Sequence, residues 1–178
     1  VSLDVFWILR KPGLTLAGDA DCKKVEHTHN SLCGEWCSEE EHVHSVKCYS
    51  NDSSDVETLL DWQNLFSGYP YTNNLREDLV GIAKTQVGYS ESEDNFEVGN
   101  DGKRRGYTRY GAWYGIPYSE WSAAFVSFCL NYAKGDLEKN PINSGAFSMM
   151  ELWKKQNKFI PLGNYVPVSG DLVFFRDN

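Results

Sequence analysis

Residues 118–130 read YSEWSAAFVSFCL, and the spacing of their apolar side chains demands a helix buried along one side. Counted from Ser122, Phe125, Val126, Cys129, Leu130 and Ala133 fall at i+3, i+4, i+7, i+8 and i+11, the signature of one helical face. Ser122 opens that face directly after Trp121. Two roles suit a serine there. Its hydroxyl can cap the helix by accepting from an unpaired first-turn amide. Alternatively it holds a nucleophile's position, where the same amides and the helix dipole favour an anion. The helix is expected to end at Gly135, because glycine commonly stops helices.

The chain has 178 residues, room for one ordinary domain or one domain with a small module. At 41% hydrophobic and 14% aromatic residues it can build a core. A net charge of −8 argues against nucleic acid as a partner. No apolar run reaches the length of a membrane span, so no transmembrane segment is expected. The opening VSLDVFWILRKPG is too short in its apolar part for a secretory signal. It reads as a strand, a turn at Lys11-Pro12-Gly13 and a second short strand, so residues 1–21 form an N-terminal strand and turn segment.

Residues 22–49 hold an internal repeat. CKKVEHTHNSLC and CSEEEHVHSVKC both fit C-x4-H-x-H-x3-C, fifteen residues apart. The four histidines of the protein, His27, His29, His42 and His44, all lie inside these units, with Cys22, Cys33, Cys37 and Cys48. In a strand the two histidines of H-x-H share a face, and each unit supplies a Cys2His2 set suited to tetrahedral zinc. Two structural zinc ions are therefore expected. The other reading is a pair of disulfides, Cys22–Cys33 and Cys37–Cys48, which leaves the paired histidines unexplained. A catalytic metal is disfavoured, since each unit already fills four positions.

Residues 50–73 are expected to be a linker and connecting helix. SNDSSD has the composition of a boundary. Ser54 and Glu57 fit a capping box for a helix over 54–67, with Val56, Leu59, Leu60 and Gln63 along one face. A second domain spans 74–178. Asn74 and Glu77 cap a helix whose buried stripe is Leu75, Leu79, Ile82, Ala83 and Val87, stopped by Gly88. A polar loop over 89–106 and an aromatic run follow, then the Ser122 helix and a third helix over 144–156. FIPL and DLVFF read as strands. This order predicts an α+β fold, with helices grouped against a small antiparallel sheet.

Three blocks in this domain, YTRYGAWYG, EWSAAFVSFCL and VPVSGDLVFF, resemble in order and spacing the CHAP domains, cysteine, histidine-dependent amidohydrolase/peptidases with a papain-like fold. The resemblance runs from about residue 74 to residue 178. It implies a bacterial cell-wall hydrolase that cleaves an amide bond in peptidoglycan, as amidase or endopeptidase, and needs no catalytic cofactor. In such domains a cysteine starts the central helix as nucleophile, and Ser122 stands at that place. A later strand carries the catalytic histidine, and no histidine lies between Asp171 and Asn178. Both departures lead us to expect a chain inactive as it stands, either truncated and inactivated by substitution or a natural pseudoenzyme. The pseudoenzyme would be a non-catalytic module that binds wall fragments or a protein partner. A host-directed cysteine peptidase is a third reading. The 22–49 units also resemble short Cys/His repeats of gut Firmicutes surface proteins, which implies a secreted or surface location.

A serine hydrolase is disfavoured, because no G-x-S-x-G elbow surrounds Ser122. Cys129 lies two turns into the helix on the buried stripe, where cysteine behaves as a small hydrophobe. Tyr107, Tyr110, Trp113, Tyr114, Tyr118 and Trp121 crowd the approach to Ser122. A mixture of core rings and cleft rings is expected of them. Tyr110, Trp113 and Trp121 are the candidates for contact with glycan or stem peptide, and Tyr118 for a place beside the oxyanion. Lys103, Arg104, Arg105 and Arg109 form a local basic patch, read as a solvated turn or as a site for substrate carboxylates.

Overall fold

The computed structural model of the chain describes residues 50–161 and 163–175. They fall into two compact units, Glu57–Ser90 with 108–175, and 50–56 with Glu91–Tyr107. Helix and strand are mixed, as the α+β expectation requires, but the sheet lies where a polar loop was expected.

The larger unit holds five helices: α1 (Leu59–Leu65), α2 (Leu75–Lys84), α3 (Arg109–Tyr114), α4 (Ser122–Tyr132) and α5 (Ala146–Lys155). α4 is its centre, packed against α2, α3 and α5. The expectation of a single buried face on α4 is corrected. Ala123, Ala124, Val126, Ser127, Phe128, Cys129 and Leu130 are all buried, so the helix is enclosed around most of its girth. That enclosure needs small residues where neighbours approach and one satisfied polar group. Ser127 Oγ supplies the latter, donating to the Asn143 carbonyl at 2.9 Å and accepting from the Asn143 amide at 3.2 Å. α4 ends three residues before Gly135. Lys134 takes the left-handed conformation at φ 58°, and the Lys134 and Gly135 amides donate to the Asn131 and Leu130 carbonyls, a Schellman closure with glycine one place late.

α1 starts later than its sequence suggests. Thr58, not Ser54, is the N-cap: Thr58 Oγ1 accepts from the Asp61 amide, and Asp61 Oδ2 accepts from the Thr58 amide. The buried side is Trp62 with Phe66 just beyond the helix, while Val56, Leu59 and Leu60 are exposed. α2 begins at Asn74 as expected, with Asn74 Oδ1 accepting from the Arg76 amide at 3.1 Å. Glu77 completes the start through the Asn74 side chain, at 3.0 Å. The helix stops at Lys84 rather than running to Gly88, and Val87 is left exposed.

α3 lies inside the aromatic run and was not expected. Thr108 caps it through the Gly111 amide, and Gly115 at φ 89° ends it. Gly111 is required there, because a Cβ would stand 2.6 Å from the Ile116 carbonyl oxygen, where the chain folds back over the helix. FIPL and DLVFF are also corrected. Residue 162 lies outside the described residues, and 159–161 and 171–175 form no strand. A strand is defined by its ladder; Leu172 instead buries its side chain in the helical core.

In the smaller unit β1 (Phe96–Val98) and β2 (Arg104–Gly106) pair antiparallel, with Phe96 opposite Gly106. Arg104 lies over the Phe96 ring at 3.6 Å, and Arg105 holds Asp101 across the turn. The 50–55 stretch is pinned to this hairpin. Asn95, fully buried, donates to the carbonyls of Asp52 and Ser54, and Ser92 Oγ donates to Asp55 at 2.6 Å.

Candidate functional site

Ser122 is the first helical residue of α4, not its cap. The N-cap is Trp121, and no side chain bonds to the first-turn amides. The Ser122 hydroxyl is half-buried and makes no hydrogen bond among the described residues. The capping role is thereby set aside. What remains is a polar side chain at the start of a buried helix, beside amides that carry the positive end of its dipole.

The helix start is held by rings instead. Trp121 stacks on Tyr110 at 5.3 Å between ring centroids and meets Tyr89 and Phe125 edge-on. Tyr110 in turn packs edge-on against Phe125, Phe128 and Tyr89. Tyr110 is only 1% exposed, so it is the floor beneath Trp121 and its ring is not at the surface. Trp113 and Trp121 are half-buried, as is Tyr118 in the turn leading to Ser122. Tyr107 belongs to the smaller unit, where its backbone bonds Ser92 and Asn95. Of the aromatic run, Tyr110 belongs to the core, and Trp113, Tyr114 and Trp121 pack against it partly exposed.

Behind the rings lies a polar network that sequence reading missed. Arg109 grips the Glu57 carboxylate through Nε, at 2.9 Å, and through Nη2. Its Nη1 donates to Gln86 Oε1 at 2.9 Å, and the Tyr110 hydroxyl donates to the same oxygen at 3.2 Å. The Arg109 amide donates to the Tyr89 hydroxyl at 2.7 Å, while its guanidinium lies 4.3 Å from the Tyr89 ring centroid. Glu57 also accepts from Trp62 Nε1. Burial pushes the Tyr110 phenol well above its ordinary pKa, so it stays a hydrogen-bond donor. No sequence motif links positions 57, 86, 89 and 109, because the fold gathers them from separate elements. Of the basic residues, Arg109 pairs with Glu57, Arg105 with Asp101, and Arg104 covers Phe96, while Lys103 is exposed beside the hairpin turn.

The PVSGD turn has its own logic. Gly170 adopts φ 92°, which lets Asp171 turn back. Asp171 is 1% exposed; Oδ2 accepts from the Val168 amide and Oδ1 from Arg76 Nη2, both at 2.8 Å. Leu172, Val173 and Phe174 then border a small apolar recess with Ala123, Val126, Ala146 and Met149, with room for at most one water. Cys129 is fully buried, and burial raises its thiol pKa, so it is a core thiol and no nucleophile.

The expected zinc ligands Cys22, His27, His29, Cys33, Cys37, His42, His44 and Cys48 lie outside the described residues. Among the described residues no group of three or more His, Cys, Asp or Glu side chains could hold a metal, and no helix is long and apolar enough to cross a membrane. Comparison with protein-family models, curated proteins and solved structures gave no match.

Proposed function

We propose that residues 74–178 belong to a papain-like, CHAP-type domain of a secreted or surface bacterial protein, with Ser122 at the nucleophile's position and peptidoglycan as substrate. The observation that supports it is the unused Ser122 hydroxyl, half-buried at the start of an enclosed helix. In a cysteine form, the α4 start would favour the thiolate, and its first-turn amides would stabilise an oxyanion. Serine keeps the shape and loses the thiolate, and an unaided hydroxyl ionises too weakly near neutral pH to replace it. The chain with serine is accordingly inactive. In the 22–49 repeats we propose two structural zinc ions. Elemental analysis of protein never exposed to a metal column should give two per chain; four thiols lost to disulfides without metal would reject them.

Serine in place of the nucleophile also suits a second reading, a pseudoenzyme that binds wall fragments. The experiment that separates the two compares the Ser122 and Ser122→Cys proteins, each in its full native reading frame, for release of soluble fragments from purified sacculi. Mass spectrometry of the new termini names the bond. Release by the cysteine form alone supports the hydrolase scaffold. Release by neither, with fragment binding retained, supports the binding module.

A further inference from the structure

α4 starts without a side-chain cap, and aromatic rings pack at its start instead. We propose that Arg109 is a positioning residue for Ser122, acting through Tyr89, Tyr110 and Trp121. A role in a site rests on the reading of Ser122 above; the positioning itself does not.

The chain of contacts is short and each link is polar or aromatic. Glu57 fixes the guanidinium by a forked pair, and both partners are largely shielded, at 14% and 23% side-chain exposure. A fork sets the plane of the guanidinium as well as its place. From that plane Arg109 reaches Gln86 Oε1, the oxygen that also receives the Tyr110 hydroxyl. Its backbone amide fixes the Tyr89 hydroxyl, and its guanidinium covers the Tyr89 ring. Two rings are thus oriented by one residue. Both touch Trp121: Tyr110 by stacking and Tyr89 by its edge. The Trp121 carbonyl accepts the first hydrogen bond of α4, from the Phe125 amide at 2.8 Å. Ser122 follows Trp121 directly, so the backbone segment that anchors the ring also carries Ser122. A helix with a capping serine would need none of this, because the cap would fix the first turn locally.

The prediction is a polarised effect. In Arg109→Met the Phe125 amide should exchange hydrogen about tenfold faster, the lower range for losing one charge-assisted hydrogen bond. The Leu130 and Tyr132 amides, at the Schellman end, should change far less. Arg109→Lys keeps the charge and loses the fork, so exchange should fall between the two. Tyr89→Phe, which removes one hydroxyl and no charge, should show the same polarity at smaller size and covers the case in which Arg109→Met fails to fold. Arg76→Met, which breaks the separate pair to Asp171, serves as the control and should leave the ratio between the two ends of α4 unchanged. In Ser122→Cys, alkylation of the introduced thiol by iodoacetamide, followed by fragment mass spectrometry, should slow severalfold on adding Arg109→Met and be partly restored by Arg109→Lys. Equal acceleration along α4 in Arg109→Met and Tyr89→Phe, or unchanged alkylation of that thiol in the folded variants, would overturn the assignment. None of these measurements uses turnover, so a failure of the sacculus assay rejects the hydrolase reading alone.

Discussion

α1 and α4 begin in opposite ways. α1 satisfies its own first turn: Thr58 and Asp61 exchange hydrogen bonds across the cap. α4 has no side-chain cap at all, although a serine stands in its first turn. Their packing is opposite too. α1 exposes Leu59, Leu60 and Leu65 and buries Trp62 alone, whereas seven of the eleven α4 residues are buried. A helix held by its neighbours needs no local start signal, because tertiary burial outweighs the roughly 1 kcal/mol that a cap supplies. α1, with little burial, has one, although α5, which buries only Met149 and Trp153, does without. The difference also separates structural from available polar groups: Thr58 is engaged, and the Ser122 hydroxyl is not.

The sharpest way to break this comparison is to remove packing from each helix. Phe128 is fully buried in α4 and touches the rings of Phe66, Tyr110, Trp113 and Tyr132. Phe128→Ala should cost about 3–5 kcal/mol, read by urea titration. Leu60→Ala on exposed α1 should stay within about 0.5 kcal/mol. Similar losses would mean that both helices are held alike. Next in size is Asp171→Ala, which takes one buried partner from Arg76 and the acceptor from the Val168 amide. Asp171 is 1% exposed and Arg76 29%, so water can solvate part of the guanidinium that loses this partner, and about 2–3 kcal/mol is expected.

Smaller is Thr58→Ala, at about 1 kcal/mol, and its pH dependence has a fixed sign. The Thr58 hydroxyl and amide hold the Asp61 carboxyl below its ordinary value of 3.8. A depressed folded pKa adds stability that is complete above the unfolded value and lost as pH falls through the folded one. The Tm gap between the parent and Thr58→Ala should therefore be constant near neutral pH and narrow in acid below about 4. A gap that widens in acid would rule out the cap as its source.

What can be read from the sequence follows the same division. Local signals are legible where the chain satisfies itself: the Asn74 start of α2 and the span of α5 come from short-range pattern. Thr58 escapes notice because Ser54 and Glu57 make an equally good S-x-x-E, and only tertiary structure decides that Glu57 turns to Arg109 and Trp62 instead. The 96–106 hairpin is hidden because its strands are three residues each and carry Arg104 and Arg105; too few residues alternate to show a period of two. DLVFF misleads in the other direction. Its apolar run suits a strand, yet Leu172 enters the helical core and Asp171 is tied to Arg76. The site divides likewise: Ser122 and Trp121 are visible as a helix start, while Glu57, Gln86 and Tyr89 meet Arg109 only by folding.

The smallest expected effect decides most about Ser122. A capping serine replaced by alanine loses about 1 kcal/mol. A first-turn serine that bonds nothing loses nothing comparable, and alanine's better helix propensity offsets the small change in solvation. Ser122→Ala should therefore move stability by no more than about 0.5 kcal/mol in either direction, while Thr58→Ala measured alongside shows the full cap effect. A loss near that of Thr58→Ala would mean that the hydroxyl caps α4 in solution, and a capping hydroxyl is engaged with its own backbone, as the Thr58 hydroxyl is. The nucleophile-position reading would then lose the observation on which it stands. A neutral result leaves the Ser122 hydroxyl with no part in folding, and the nucleophile-position proposal keeps the observation on which it stands.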